Sequence, residues 1–159
     1  AVLQLNSSKW QQALIDKGLA TYASFSYSTN KYVGPIQLFV VTNKKKMKEC
    51  YKEMMNQLSQ FGNADYITDE QLATAKDVIR RNYIRSSEKP SSLASQLTYQ
   101  WCSTSLDYFT DYQASCVNVT KQDIQRYVLK YIVSKPYVAG LIINADMNKQ
   151  LSPGEYFKN

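Results

Sequence analysis

Residues 67–97, ITDEQLATAKDVIRRNYIRSSEKPSSLASQL, spell out the start, body and stop of one helix and the start of another. Thr68 stands three residues before Gln71. At that spacing a hydroxyl and a side-chain amide satisfy each other's orphan main-chain N–H groups at a helix N-terminus. Leu72, Ala75, Val78, Ile79 and Tyr83 then recur at three- and four-residue steps and so share one helical face. A Ser-rich break carrying Pro90 stops this helix near Ser87, and the next is predicted over 91–106. A single apolar stripe on a long capped helix describes the surface helix of an α+β domain.

The rest of the chain supplies the β part. Residues 2–17 carry a worn helical pattern (Val2, Leu5, Trp10, Ala13, Leu14) that Gly18 terminates as a glycine just past the helix end. Residues 20–28, ATYASFSYS, read as a strand with Ala23, Phe25 and Tyr27 on one face, and 35–41, PIQLFVV, as a second that tolerates Pro35 at its first position. Two strands so close in sequence predict an antiparallel hairpin turning at 30–34. A helix is predicted over 45–61, with Met47, Tyr51, Met54, Met55 and Leu58 facing inward, closed by Phe61-Gly62-Asn63. Residues 106–116 are a short helix or a compact loop. Thr120 opens a further helix, TKQDIQRYVLKYI, with Asp123 complementing its dipole. Residues 137–145, YVAGLIINA, form a nearly continuous apolar run, which predicts a central strand buried on both faces. From Asp146 an extended tail is expected. The expected fold class is therefore α+β: one domain, 1–159, an antiparallel sheet with helices packed on one face.

Composition narrows the function classes. Of 159 residues, 44% are hydrophobic and only 4 are Pro and 5 Gly, as in a folded globule rather than a disordered segment. The 13 tyrosines suit half-buried positions and binding surfaces alike. The net charge is +6, but the one tight cluster, Lys44, Lys45, Lys46 and Lys48, reads as a solvated helix entrance rather than a nucleic-acid or membrane patch. Three cysteines, Cys50, Cys102 and Cys116, with no C-x-x-C, form neither a zinc ribbon nor a disulfide framework. They are expected free, with one pair left open in an oxidising compartment. No run approaches the roughly 20 apolar residues of a membrane span. The sequons at Asn6 and Asn118 are read as unglycosylated, and the start AVLQLNSSKW as the interior of a longer polypeptide.

Four stretches in order also carry a family likeness: Ser8-Lys9-Trp10 with Leu14, then Lys17-Gly18-Leu19-Ala20, then ITDEQLATAK with its EKPSSLASQL break, and finally VNVTKQDIQRYVLKYI. Together they resemble the insulinase/pitrilysin family of zinc metallopeptidases, whose mitochondrial-processing-peptidase-like α+β domains pair into a clamshell. The resemblance implies a metallohydrolase domain lacking its N-terminal part. Family members hold zinc in an inverted His-x-x-Glu-His motif with a further Glu on the N-terminal half, where the motif Glu activates the metal's water. This chain contains 0 histidines, so it has no catalytic residue, metal ligand or cofactor of that kind. Its carboxylates, Asp69-Glu70 and Asp107 with Asp111, read as caps and solvated faces.

What remains is the non-catalytic side of the clamshell, with zinc expected in the parent protein's catalytic half. In the family that side offers an Arg and a Tyr, seven residues apart, to the peptide backbone. The tyrosine slot falls here on Thr21, or on Tyr22 after a one-residue shift. The arginine slot falls on Leu14 or Ile15, so the arginine is missing. The implied partners are an extended peptide substrate and the zinc-binding half, on the same polypeptide or on a partner subunit; a bacterial parent would sit in the periplasm or cell envelope. Two alternatives are an inactive relative serving as a structural or assembly subunit, and an unrelated basic α+β module for nucleic acid.

Overall fold

The computed structural model describes residues 1–150. A single 3₁₀ turn (Val2–Gln4) leads into helix α1 (Lys9–Gln11), which runs on through a π-helical turn (Gln12–Asp16). Strands β1 (Tyr22–Tyr27) and β2 (Ile36–Val41) follow as an antiparallel pair, then helices α2 (Met47–Gln60), α3 (Asp69–Ser87), α4 (Pro90–Ser103), α5 (Leu106–Asn118), α6 (Lys121–Tyr131) and α7 (Ala145–Gln150). The architecture is α+β, as expected, but the sheet among the described residues has two strands.

The helix ends are set by side chains. Ser8, itself buried, accepts from the main-chain N–H of Gln11 at 3.2 Å and donates to the Leu3 carbonyl at 3.1 Å, tying the first turn to α1. Gly18 leaves the π turn at φ +64°, the left-handed region where a side chain is strained, and its N–H reaches Ile15 O at 2.8 Å. Thr68 and Thr120 both form complete capping boxes. Thr68 Oγ1 accepts from Gln71 N and Gln71 Oε1 from Thr68 N, each at 3.1 Å; Thr120 Oγ1 accepts from Asp123 N at 3.1 Å and Asp123 Oδ2 from Thr120 N at 3.0 Å. Gln71 also donates to Ser7 O at 2.6 Å, fastening the start of α3 to the N-terminal segment.

The core lies between the hairpin and the helices. Leu3, Trp10 and Leu14 meet Leu19, Ala20 and Ala23 from the hairpin's base, Cys50 and Phe61 from α2 and its end, Tyr66 and Ile67, and Val128 from α6. On α3 the predicted stripe holds: Ala75 is buried and Leu72, Val78, Ile79 and Tyr83 half-buried, with exposed residues between them. On α2 the expected methionine stripe is shifted. Met47 is buried, but Cys50 and Gln57 take the innermost places, while Tyr51, Met54, Met55 and Leu58 are half-buried. Gln57 is admitted because it accepts from the Tyr66 hydroxyl at 2.7 Å and donates to Glu53 at 2.9 Å.

Three expectations are corrected. The helix predicted over 91–106 ends at Ser103, because Ser105 starts a new one by accepting from Tyr108 N at 3.1 Å; 106–118 is accordingly a helix, not a loop. The predicted extended tail from Asp146 is helical as far as Gln150, and the rest of it lies outside the described residues. Most importantly, residues 137–144 are not a strand and join no sheet, and Ala145 opens α7. Val138 is 100% and Ile142 90% exposed. A continuous apolar run records a drive to leave water but carries no alternation to name the neighbour that provides the exit.

Replacing Thr68 or Thr120 by Ala is expected to cost about 1 kcal/mol each in urea unfolding; unchanged midpoints in both would reject the capping role. The Thr120 box is also pH-sensitive. The Thr120 hydroxyl first, then its main-chain N–H and Arg126, hold the Asp123 carboxyl below its ordinary 3.8. A depressed carboxylate stabilises fully above the unfolded value, and that contribution fades as pH falls through the folded one.

Candidate functional site

The hairpin is the element to which sequence reasoning assigned contact with a peptide, and its two edges and two faces differ. Its register pairs Tyr22 with Val41, Ser24 with Phe39 and Ser26 with Gln37. Ser28 N donates to Pro35 O at 3.3 Å across the end of the ladder. Bonded pairs alternate along an antiparallel ladder, so Tyr22–Val41, Ser24–Phe39 and Ser26–Gln37 bond each other. Ala23, Phe25 and Tyr27 on β1, and Ile36, Leu38 and Val40 on β2, therefore turn their main-chain groups outward. The outer edge of β1 is masked: Gln11 Nε2 donates to Ala23 O at 3.0 Å and Gln4 Nε2 to Phe25 O at 3.1 Å. Among the described residues, no hydrogen bond reaches the outward groups of β2.

The faces differ as much as the edges. Ala23 and Phe25 point into the core, where the Phe25 ring sits edge-on to Trp10 at 6.5 Å and to Phe61 at 5.9 Å. Tyr27, farther along the same face, lays its ring in the space that a Cβ on Gly34 would fill, which is why the returning turn carries a glycine there. The opposite face is turned to solvent. Tyr22 is 53% and Phe39 51% exposed, and their rings meet at 6.2 Å on the diagonal, Phe39 standing two residues from Tyr22's partner Val41, which is exposed beside them. Ser24, Ser26 and Gln37 complete this face. A diagonal aromatic pair contributes on the order of 0.5–1.5 kcal/mol beyond its area, so the apolar end of this face is held by ring contact.

The two candidate residues thus part company. Tyr22 is a solvent-facing ring. Thr21 is a fastener at the hairpin's base: its N–H donates to Val41 O at 2.8 Å and its hydroxyl to the same oxygen at 3.3 Å. Leu14, in the arginine slot, is fully buried, and Ile15 packs against the core from its rim. Phe39 and Val41 went unnamed from the sequence. The signal was present, since an antiparallel pairing that starts at Tyr22 places them on its face, but it needs the register that only the turn decides.

Of the acidic candidates, Glu70, Asp107 and Asp111 are exposed, and Asp69 ties two helices together. Asp69 takes an ion pair from Lys121 at 3.0 Å, joining the first turn of α3 to that of α6. Among the described residues, no three His, Cys, Asp or Glu side chains converge as a metal site would require. Cys50, Cys102 and Cys116 are free thiols, with Cys50 buried against the Thr42 hydroxyl and pushed up by that burial. The lysine cluster sits at the junction the sequence placed it at, Lys44, Lys45 and Lys46 between β2 and α2 and Lys48 in the first turn of α2, and Lys46 Nζ donates to Gly18 O at 2.7 Å. No described helix is long and apolar enough to cross a membrane.

No protein-family model matches this chain, and no curated protein matches it. Among solved structures it is similar in fold to the crystal structure of a protease from Helicobacter pylori, with a TM-score of 0.68 and 23% identity. The likeness covers 80% of this chain and 31% of that one, so the chain spans about a third of the neighbour's length.

Two substitutions on adjoining faces separate contact from core. Phe25→Ala is expected to cost about 3 kcal/mol of stability, and Tyr22→Ala only about 0.5–1.5 kcal/mol, the worth of its aromatic pair. Equal losses in thermal or urea unfolding would place Tyr22 in the core and remove it from the candidate surface.

Proposed function

We propose that this chain is a non-catalytic, substrate-enclosing domain of an insulinase-like zinc metalloendopeptidase. The observation that carries the reading is the outward face of the hairpin, where Tyr22, Phe39 and Val41 lie exposed on a sheet whose other face is packed. An extended peptide laid across such a face finds ring area without side-chain pockets, which makes contact tolerant of sequence. The four ordered motifs and the fold shared with a protease support the same reading. On this reading hydrolysis belongs to a zinc-binding half on the same polypeptide or on a partner subunit, and zinc is no cofactor of this chain. Its share of the work is binding and enclosure, with Tyr22 the principal contact and Thr21 holding the strand that presents it.

One observation favours a second reading. Leu14 is buried where the family carries its peptide-binding arginine, so that position offers no charge to a substrate backbone. An inactive relative that uses the same face to hold a partner subunit fits that loss.

The test is Tyr22→Ala in the full-length protein, assayed on unstructured peptides. A contact used equally before and during the reaction is read out as a rise in KM, about threefold to tenfold, with kcat unchanged. A KM unaltered in a correctly folded variant rejects the peptide-contact role and leaves the assembly reading.

A further inference from the structure

Helices α3 and α5 hold a cavity of about 290 Å³ between them, and no residue of the hairpin lines it. Lys76, Asp77 and Arg80 border it from α3, Gln113 and Cys116 from α5. Lys76 and Arg80 stand four residues apart and Gln113 and Cys116 three apart, so each pair shares one helical face. The volume sits at the lower end of the roughly 300–1,000 Å³ usual for ligand sites. That is room for a small molecule and too little for a strand or helix of a partner.

The lining is cationic. Lys76 and Arg80 outnumber Asp77, which leaves one positive charge in excess. Lys76 Nζ donates to Val117 O at 2.7 Å, which ties α3 to the last turn of α5 and leaves the other ammonium N–H groups for a second acceptor. Arg80 meets Asp77 at 3.5 Å, with both side chains more than half exposed. Water and salt wear down a pair of this kind, so the guanidinium is open to a better-aligned partner. Ala73 and Val117 add an apolar part to the walls.

Gln113 carries a fault that a ligand mends. Its Nε2 is buried and meets no acceptor among the described residues, although the side chain borders the cavity. A buried donor left unpaired lowers stability, and an oxygen brought to it recovers the loss.

We propose that the cavity between α3 and α5 is a binding site for a small organic monocarboxylate. The ligand's carboxylate accepts from Arg80 and Lys76, and from Gln113 once that amide turns about its soft last torsion to meet it. A short apolar body lies along Ala73 and Val117. One carboxylate matches the single charge in excess. The site does not depend on the peptide-contact reading above, since the two share no residue.

Heteronuclear NMR titration of the whole chain at fixed ionic strength tests it, with butyrate as the probe and butyramide as its uncharged isostere. Butyrate is expected to give saturable shifts at Lys76, Arg80, Cys116 and the Gln113 side-chain amide, with a Kd in the millimolar range. Butyramide, which forgoes the charge-assisted hydrogen bonds, is expected to bind about tenfold more weakly. Arg80→Gln is expected to weaken butyrate by a similar factor. Gln113→Leu removes a donor that has no partner, so the fold survives it, and butyrate is expected to bind about threefold more weakly or worse. Silent cavity signals overturn the proposal, as do equal affinities for butyrate and butyramide, or a butyrate affinity unchanged in both variants. Inorganic phosphate that binds more tightly than butyrate overturns the carboxylate assignment.

Discussion

Four aromatic rings in series hold this domain together. Trp10 on α1 stands edge-on to Phe25 on β1, Phe25 edge-on to Phe61 at the end of α2, and Phe61 tilts against Tyr66 at 5.3 Å. Each contact joins a different element, so the N-terminal helix, the hairpin and the α2–α3 connection are fixed by one line of rings. Trp10 Nε1 is buried without a partner among the described residues. An orphaned donor costs about 1–3 kcal/mol, whereas emptying a large aromatic site costs about 3–5 kcal/mol. The ring's packing wins. Tyr66 avoids a similar penalty by donating to Gln57, and burial, with Glu53 nearby, raises its phenol well above the ordinary range so that it remains a donor.

The functional asymmetry of the hairpin follows from that series. Because Phe25 and Ala23 are drawn inward, the period of two along a strand turns Tyr22 outward, and the register then brings Phe39 and Val41 to the same face. The amides of Gln4 and Gln11, carried on the segment that Trp10 anchors, mask the β1 edge and leave β2 as the open one. One packing decision thus selects the exposed face, and the masking that goes with it selects the open edge.

Elements with a periodic stripe and a side-chain cap were legible in the sequence. Thr68 with Gln71, and Thr120 with Asp123, announce their helices through local hydrogen bonds, and the stripe from Leu72 to Tyr83 needs no distant partner to be recognised. The hairpin was legible for the same reason, and so was the face that Ala23 and Phe25 share. Residues 137–144 were not, because an apolar run fixes burial as a preference and leaves the partner to the rest of the fold. The site was half legible. Tyr22 follows from alternation against Phe25, but the engagement of Thr21 with Val41, and the contribution of Phe39, depend on a pairing that spans 20 residues of chain. The swap of Cys50 and Gln57 into the α2 core was equally hidden, since Gln57 is acceptable there only once Tyr66 arrives to bond it.

The central claim is that the hairpin meets a partner through its outward face while its inward face is committed to the core. A heteronuclear NMR titration of the chain with an unstructured peptide examines it most directly. The account predicts shifts concentrated at Tyr22, Ser24, Phe39 and Val41, with the Trp10 and Phe25 rings undisturbed. Saturable shifts centred on the helices, with the Tyr22–Phe39 face silent, would contradict it.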